Sequence, residues 1–456
     1  MKFRNIIFNF TLLFLVLTLI FFGCDENLDV DPDGTTLVGD QAYADETTIA
    51  ASVNGIYYTM ANEASYYSLT FNGIMSALSD QTKLAGVSDL DDINVFNNEV
   101  TGENQKTATI WQNSYRVIYQ ANALIDAVAG RIDVDEELRD QFLGEAKFLR
   151  AMAYFQLVNY YGDIPLATTS DPTVNSSLSK TSEAETWTFI ESELTACIEL
   201  LPAEYSAYDG SRARAIAPAA QALLARVHLY RENWSEAVAM ATEVIDHPDI
   251  SIDLPVTGNF VSLYDDDSRE SVFELDYDLF GNFVPNLIGS VFGATPSFFI
   301  SDKLVNSFET GDLRRAQLVG DFGDGNFYCN KFDSDFFEYD ERQKLIRLSE
   351  MYLIRAEASL RLPSPGLSTS ASDINVIRNR AGLANTTATT QQDLLDAVAQ
   401  ERFVELAFEG HRWFDLIRTG QLDAVMSSEK PGTWNLAGDR YMPIPNNELA
   451  ANPNLR

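Results

Sequence analysis

Cysteine and histidine are scarce in this chain, with three of each in 456 residues. The histidines, His228, His247 and His411, form no H-x-x-x-H pair, and there is no C-x-x-C, so no transition-metal site is indicated. A phosphate-cradling G-x-x-x-x-G-K-[ST] loop and a G-x-S-x-G elbow are both missing, which leaves nucleotide chemistry and serine hydrolysis without support. Positive charge is short as well. There are 32 Lys and Arg against 67 Asp and Glu, a formal charge of −35. Such a surface argues against nucleic acid and, more weakly, against anionic polysaccharide, so a ligand should be neutral. Cys197 falls in the apolar pattern of Trp187 to Leu201 and reads as a buried free thiol.

Residues 1–23 read as an export signal. Lys2 and Arg4 precede the apolar run Ile6 to Phe22, and Gly23–Cys24 then leads into Asp25–Glu26. A small residue before a Cys at the end of such a run fits a bacterial lipoprotein cleavage site, with Cys24 as the lipidated first residue. Phe21 and Phe22 depart from the usual pattern, and the alternative is an uncleaved anchor, the run being slightly short of the ~20 residues that span a bilayer. The roughly 430 residues left exceed the usual single-domain size, so two domains or one repeat-rich domain is expected. Residues 24–40 read as an acidic tether. Asp29, Asp31, Asp33, Gly34 and Asp40 match the spacing of a calcium loop, but Pro32 interrupts it and no helix precedes it, so a solvated leader is the better reading.

The rest of the chain is dominated by helical periodicity. Helices are expected over Gln41 to Glu63, Thr107 to Ala129, a stretch around Gln141 to Tyr161, and Glu183 to Leu201. In QFLGEAKFLRAMAYFQLVNYYGDIPL, Phe142, Ala146, Leu149, Ala153, Leu157 and Tyr160 form one apolar face and Phe148, Met152 and Phe155 a second. This helix should therefore be buried on two sides. Gly162 and Pro165 end it. Ala217 to Asp246 is a helix pair with small residues at Ala225 and Ala237 and Pro248 beyond, close to the spacing of a tetratricopeptide repeat. Leu345 to Leu362, Ser370 to Ala381 and Gln391 to Arg418 suggest further pairs. The expected fold class is thus mainly α, with helix pairs at about 107–161, 183–246 and 345–418. Ala64 to Gln105 and Ile250 to Glu338 read instead as loops and short strands, the kind of segment that carries function on a rigid scaffold.

Glu401, Glu405, Glu409 and His411 resemble an acid/base set, with Arg402 and Arg412 in reach, but same-face helix neighbours do not make the facing carboxylates a glycosidase needs. Ion pairing is the better reading.

Four long motifs resemble the SusD/RagB-like outer-membrane lipoproteins. The 141–166 stretch looks like that family's FLRAxAYFxLVxxYGDIPL signature. Leu348 to Ala358, Glu401 to Gly420 and Tyr441 to Leu455 resemble three others in the right order. The resemblance implies a single domain over 41–456, with tetratricopeptide-like helix pairs and an irregular portion packed on one side. It further implies a lipid anchor facing the cell exterior, no catalysis, and a SusC-like TonB-dependent transporter as partner, over which the protein is a lid delivering oligosaccharide. Some relatives take peptides instead. A peptide-capturing lid and, in another class, a tetratricopeptide-type protein adaptor therefore remain alternatives, with a hydrolase the weakest. The family's signatures do not include its ligand residues. The sugar capture that the resemblance implies needs flat aromatic rings for pyranose C–H faces and planar polar side chains for hydroxyls. The irregular segments supply that mixture at Tyr66, Tyr67, Asn72, Asp80, Gln81, Phe96 and Asn98, and again at Tyr277, Phe280, Asn282, Phe283, Asn286 and Phe292. Trp434 lies in a polar loop with Asn435 and Asp439, whereas Trp111, Trp187, Trp234 and Trp413 fall in helix patterns and read as structural.

Overall fold

A computed structural model of the chain describes residues 39–62, 72–85, 89–252, 266–276, 297–331 and 342–456. Long helices carry it: α1 (Glu46–Asn62), α2 (Gln105–Val128), α3 (Glu136–Tyr161), α4 (Glu183–Leu200), α5 (Ala217–Tyr230), α6 (Trp234–Ile245), α7 (Leu348–Arg361), α8 (Leu367–Arg380) and α9 (Gln391–Glu405). The chain divides into two units, one ending at Ala51 and the other beginning at Ser52. Within the first, Gly39–Tyr43 is a 3-10 turn, and Asp45 and Thr48 cap the start of α1 reciprocally, N to side-chain oxygen, at 2.9 and 3.0 Å.

In the second unit the helices stack in chain order. α2 packs on α3, α3 on α4, α4 on α5, α5 on α6, α6 on α7, and α7 on both α8 and α9. This is the nearest-neighbour architecture of helical repeats. Helix starts coincide with side-chain caps: Asn104 for α2, Asp135 for α3, a Ser182–Glu185 capping box for α4, and Thr390 for α9.

α3 is buried on both expected faces, from Phe142 to Tyr161 with few gaps. Its contact with α4 is close enough that a Cβ on Gly144 would sit 2.9 Å from Leu201 Cγ, so a small residue is required there. Polar residues tie α3 to its surroundings. Glu145 accepts from Arg214 at 2.6 and 2.7 Å and from the Tyr57 hydroxyl at 2.7 Å. Tyr154 bonds both the N–H and the carbonyl of Ala167. Gly162 closes the helix at φ +71°.

Two helix expectations need correction. Residues 345–347, expected to open the Leu345 to Leu362 helix, are not helical. They belong to strand β6 (Gln343–Arg347), antiparallel to β2 (Ser271–Leu275), with Leu275 opposite Gln343 and Ser271 opposite Arg347. The Gln391–Arg418 stretch is not one helix either. α9 stops at Glu405, Phe408 and Gly410 take φ of +64° and +82°, and a separate helix runs Arg412–Arg418. The break serves an ion network. Past it, Glu409 reaches Arg347 at 2.7 and 2.9 Å, and the carbonyls of Glu405 and Ala407 receive Lys331 Nζ at 2.7 and 3.0 Å.

Candidate functional site

The irregular segments of the sequence meet in space. Strand β1 (Thr82–Leu84) pairs antiparallel with β3 (Phe298–Ile300), in the register Thr82–Ile300, Lys83–Phe299 and Leu84–Phe298. The seam continues through Ser301, whose N–H donates to the Gln81 carbonyl at 2.9 Å and whose hydroxyl donates to the Asp80 carbonyl at 2.7 Å. The 64–105 segment is thereby fastened to the 250–338 segment.

Asp80 is the anchor beneath this seam. Its carboxylate is fully buried and accepts from Arg412 at 2.8 and 2.7 Å and from Lys303 at 2.8 Å. Burial alone would raise its pKa. Hydrogen bonds and charge from Arg412 and then Lys303 outweigh burial and hold the carboxyl below the usual range. Its oxygens are thus committed to holding the short helix Arg412–Arg418 against the seam rather than facing outward. Lys430 adds a second fastening. Its ammonium donates to the carbonyls of Ala77 and Leu78 at 2.9 and 3.0 Å, closing the short helix Asn72–Leu78, and lies 4.6 Å from the centre of the Phe96 ring. Burial pushes this amine down to about 7, against Asp80 and Glu429.

Phe96 and Trp434 are half-buried at this surface. Trp434 donates its indole N–H to Asp423 at 2.9 Å and meets Trp413 edge-on, ring centres 6.1 Å apart. Asn72 opens the short helix Asn72–Leu78. Tyr66, Tyr67, Tyr277, Phe280, Asn282, Phe283, Asn286 and Phe292 lie outside the described residues, as do Cys24 and residues 29–38 of the calcium-like loop.

Three aromatics not singled out by the sequence reading cluster here, Phe322 exposed and Phe299 and Tyr328 half-buried. Strands β4 (Val319–Asp321) and β5 (Phe327–Cys329) make a hairpin whose turn uses positive φ at Gly323 and Gly325. Tyr328 lies opposite Gly320, its ring so close over the glycine that a Cβ there would be 2.1 Å away. Phe322, 38% exposed, sits 4.7 Å from Tyr328 and 5.6 Å, edge-on, from Phe299 of β3. The turn sequence D-F-G-D-G between apolar pairs is the signal that would have found this hairpin.

The acid/base set is an ion network instead, with partners other than Arg402 and Arg412. Glu405 accepts from Arg347, Arg380 and Arg314, and Glu401 lies 3.0 Å from Arg314 and 2.9 Å from Arg378. Arg402 pairs with Asp415 at 2.8 Å, and Arg412 with Asp80. Despite burial, Arg347 and Lys331 hold Glu409 down to about 2. Burial holds His411 down to about 4. A carboxylate fixed as an anion and an imidazole fixed neutral are poorly matched to proton transfer near pH 7. Cys197 and Cys329 are both buried and neither is in a disulfide, and among the described residues no group of His, Cys, Asp and Glu is arranged to hold a metal.

Comparison with known proteins agrees with this architecture. The profile of the SusD family matches residues 326–456, and a SusD-like profile described as "Starch-binding associating with outer membrane" matches residues 26–229. A SusD-like protein of Formosa agariphila is 28% identical, the alignment covering 100% of this chain and 98% of the relative. A second from the same organism is 27% identical over 97% of each. A SusD superfamily structure from Bacteroides vulgatus superposes with a TM-score of 0.78 at 21% identity, covering 91% of this chain and 98% of that one. A structure described as a laminarin binding SusD-like protein gives 0.76 at 24%, covering 90% and 98%.

Proposed function

The chain belongs to the SusD/RagB family, and from that membership we propose that it is a cell-surface glycan-binding lipoprotein that captures neutral oligo- or polysaccharide without cleaving it. The observation that carries this reading is the aromatic surface of Phe299, Phe322 and Tyr328, held by a hairpin at a seam where both loop-rich segments are fastened together. Rigid rings fixed by strand pairing offer stacking faces with little ordering left to do on binding. Phe96 and Trp434 both lie at Lys430, and the chain's charge of −35 favours uncharged polymer.

In this proposal Cys24 carries the lipid that tethers the protein to the outer membrane, facing outward. A SusC-like TonB-dependent transporter receives the captured oligosaccharide beneath it, the protein serving as the lid. The family description "associating with outer membrane" supports the location. Protease shaving of intact cells should release the protein, and full protection would refute the outward orientation.

The test of binding is affinity electrophoresis on a polysaccharide panel that includes laminarin. The wild type should be retarded by at least one neutral glycan, with no new reducing ends. Phe322→Ala, at an exposed position, should weaken that retardation about three- to tenfold, the size of one aromatic contact. Retardation by none, together with peptide binding, would shift the reading to a peptide-capturing lid.

A further inference from the structure

A groove of about 500 Å³ runs along α2, lined by none of the residues at the β1–β3 seam. Its floor is an aromatic row at helical spacing, Trp111, Tyr115 and Tyr119, four residues apart on one face. Exposure rises along the row: Trp111 is buried, Tyr115 half-buried, and Tyr119 54% exposed. One wall is residues 165–178 and the other the C-terminal residues 448–455.

The walls are fixed to the floor and to each other. The Tyr115 hydroxyl donates to the Pro165 carbonyl at 2.7 Å. Asn452 and Asn454 donate across the walls to the carbonyls of Leu178 and Ser177, both at 2.8 Å. The groove is therefore preformed, and its volume is in the range of small-molecule sites, roughly 300–1,000 Å³. Its polar edge is uncharged or nearly so. Gln112 is exposed beside the row, and Asn175 donates to the Thr169 carbonyl while its own buried amide oxygen has no partner. Glu448, bonded by Trp111, is the sole Asp, Glu, Lys or Arg among the lining residues, and burial raises its pKa.

We propose that this groove is a second saccharide site of the protein, taking a neutral oligosaccharide with a pyranose face on Tyr119 and a hydroxyl on the exposed amide of Gln112. Aromatic rings graded from buried to open, amides at the rim and no basic residue suit an uncharged polyhydroxylated ligand better than an anion. The inference rests on the glycan-binding reading above but concerns a different surface.

Hydrogen–deuterium exchange of the full chain with laminarihexaose and with maltohexaose separates the two. At least one hexasaccharide should slow exchange in residues 165–178 as well as in 297–329. Tyr119→Ala and Gln112→Ala alter exposed side chains, so the fold should survive. Each should abolish or weaken the 165–178 protection, the former about three- to tenfold in the concentration required, and leave the 297–329 protection unchanged. Protection confined to 297–329, or groove protection indifferent to Tyr119→Ala, overturns the second site and leaves the first. Protection of 165–178 by a proline-rich peptide but by neither sugar also overturns it. Absence of sugar protection anywhere, with no retardation by any glycan, removes both.

Discussion

Asp80 and Lys430 show how single charges hold the candidate surface. Asp80 pairs with both Arg412 and Lys303; in Asp80→Asn, Lys303 keeps Glu429 at 2.9 Å, but the Arg412 guanidinium is left facing a neutral amide at a buried point. The expected loss is about 2–4 kcal/mol, read as a lower urea midpoint with an unchanged slope. A loss under half a kcal/mol would show that water already shares that cation. Lys430 makes a pH prediction. Burial brings its folded value to about 7, whereas the unfolded chain keeps an ordinary lysine near 10.4. Above pH 7 the unfolded state therefore holds more protons, and stability rises with pH, by at most about 1.4 kcal/mol per unit. The window closes near pH 8.5, where Cys197, its thiol pushed up by burial, begins to act the other way. Thermal scans from pH 7 to 8.5 should show the rise, and Lys430→Met should flatten it. An unchanged slope in that variant would assign the rise to another group.

At the scale of elements, α3 is the most legible part of the chain and the least concerned with ligand. Its two apolar faces, its glycine stop and its need for neighbours on both sides were all readable, because burial imposes helical period on sequence. Leu149 is wholly buried there. Leu149→Asp would place an unpaired carboxylate between α3 and its neighbours and should unfold the stack, while Leu149→Met should cost under about 1.5 kcal/mol. Circular dichroism and gel filtration decide this, and a folded, monomeric Leu149→Asp protein would show that the face was misassigned. The candidate surface was less legible for physical reasons. β1 and β3 are three residues each, too short to show alternation, and their pairing partner is set by tertiary contact. Phe322 and Tyr328 are compositionally no different from the chosen aromatics of 277–292. They sit in a hairpin whose register places Tyr328 over Gly320, a placement that composition does not announce. The end of α9 at Glu405 was hidden too. The cations that hold the chain past the helix end are Arg347 on Glu409 and Lys331 on the Glu405 and Ala407 carbonyls, distant in sequence, and no local pattern announces them.

For the whole molecule, the question is what acid does to a protein with 67 carboxylates and a buried ionic core. Two effects oppose each other. Protonating surface carboxylates relieves the repulsion of a −35 chain and favours folding. The buried groups push the other way. His411, held near 4 by burial, is neutral in the fold but takes a proton on unfolding below about 6.5, so stability falls as pH drops from 6.5 to 4. Glu409, held near 2 by Arg347 and Lys331 in spite of burial, loses its contribution as pH drops from 4.5 to 2, about 3 kcal/mol in all. Glu401, raised by burial, partly offsets this by accepting its proton in the folded state. Near pH 6 the opposing effects are comparable, but below 4.5 the buried network dominates, since Glu405 and Asp415 are also held low by their arginines. The melting temperature should therefore fall steeply between pH 4.5 and 3. Glu409→Gln should start lower at pH 7 and fall less over that interval. Salt separates the two causes. Half-molar sodium chloride screens surface repulsion within a few ångströms but leaves a buried network nearly untouched, so the acid slope should persist in it. A slope that disappears in salt, or a melting temperature that holds level to pH 3, would mean that surface charge rather than the Glu405–Glu409 network sets the acid limit of the fold.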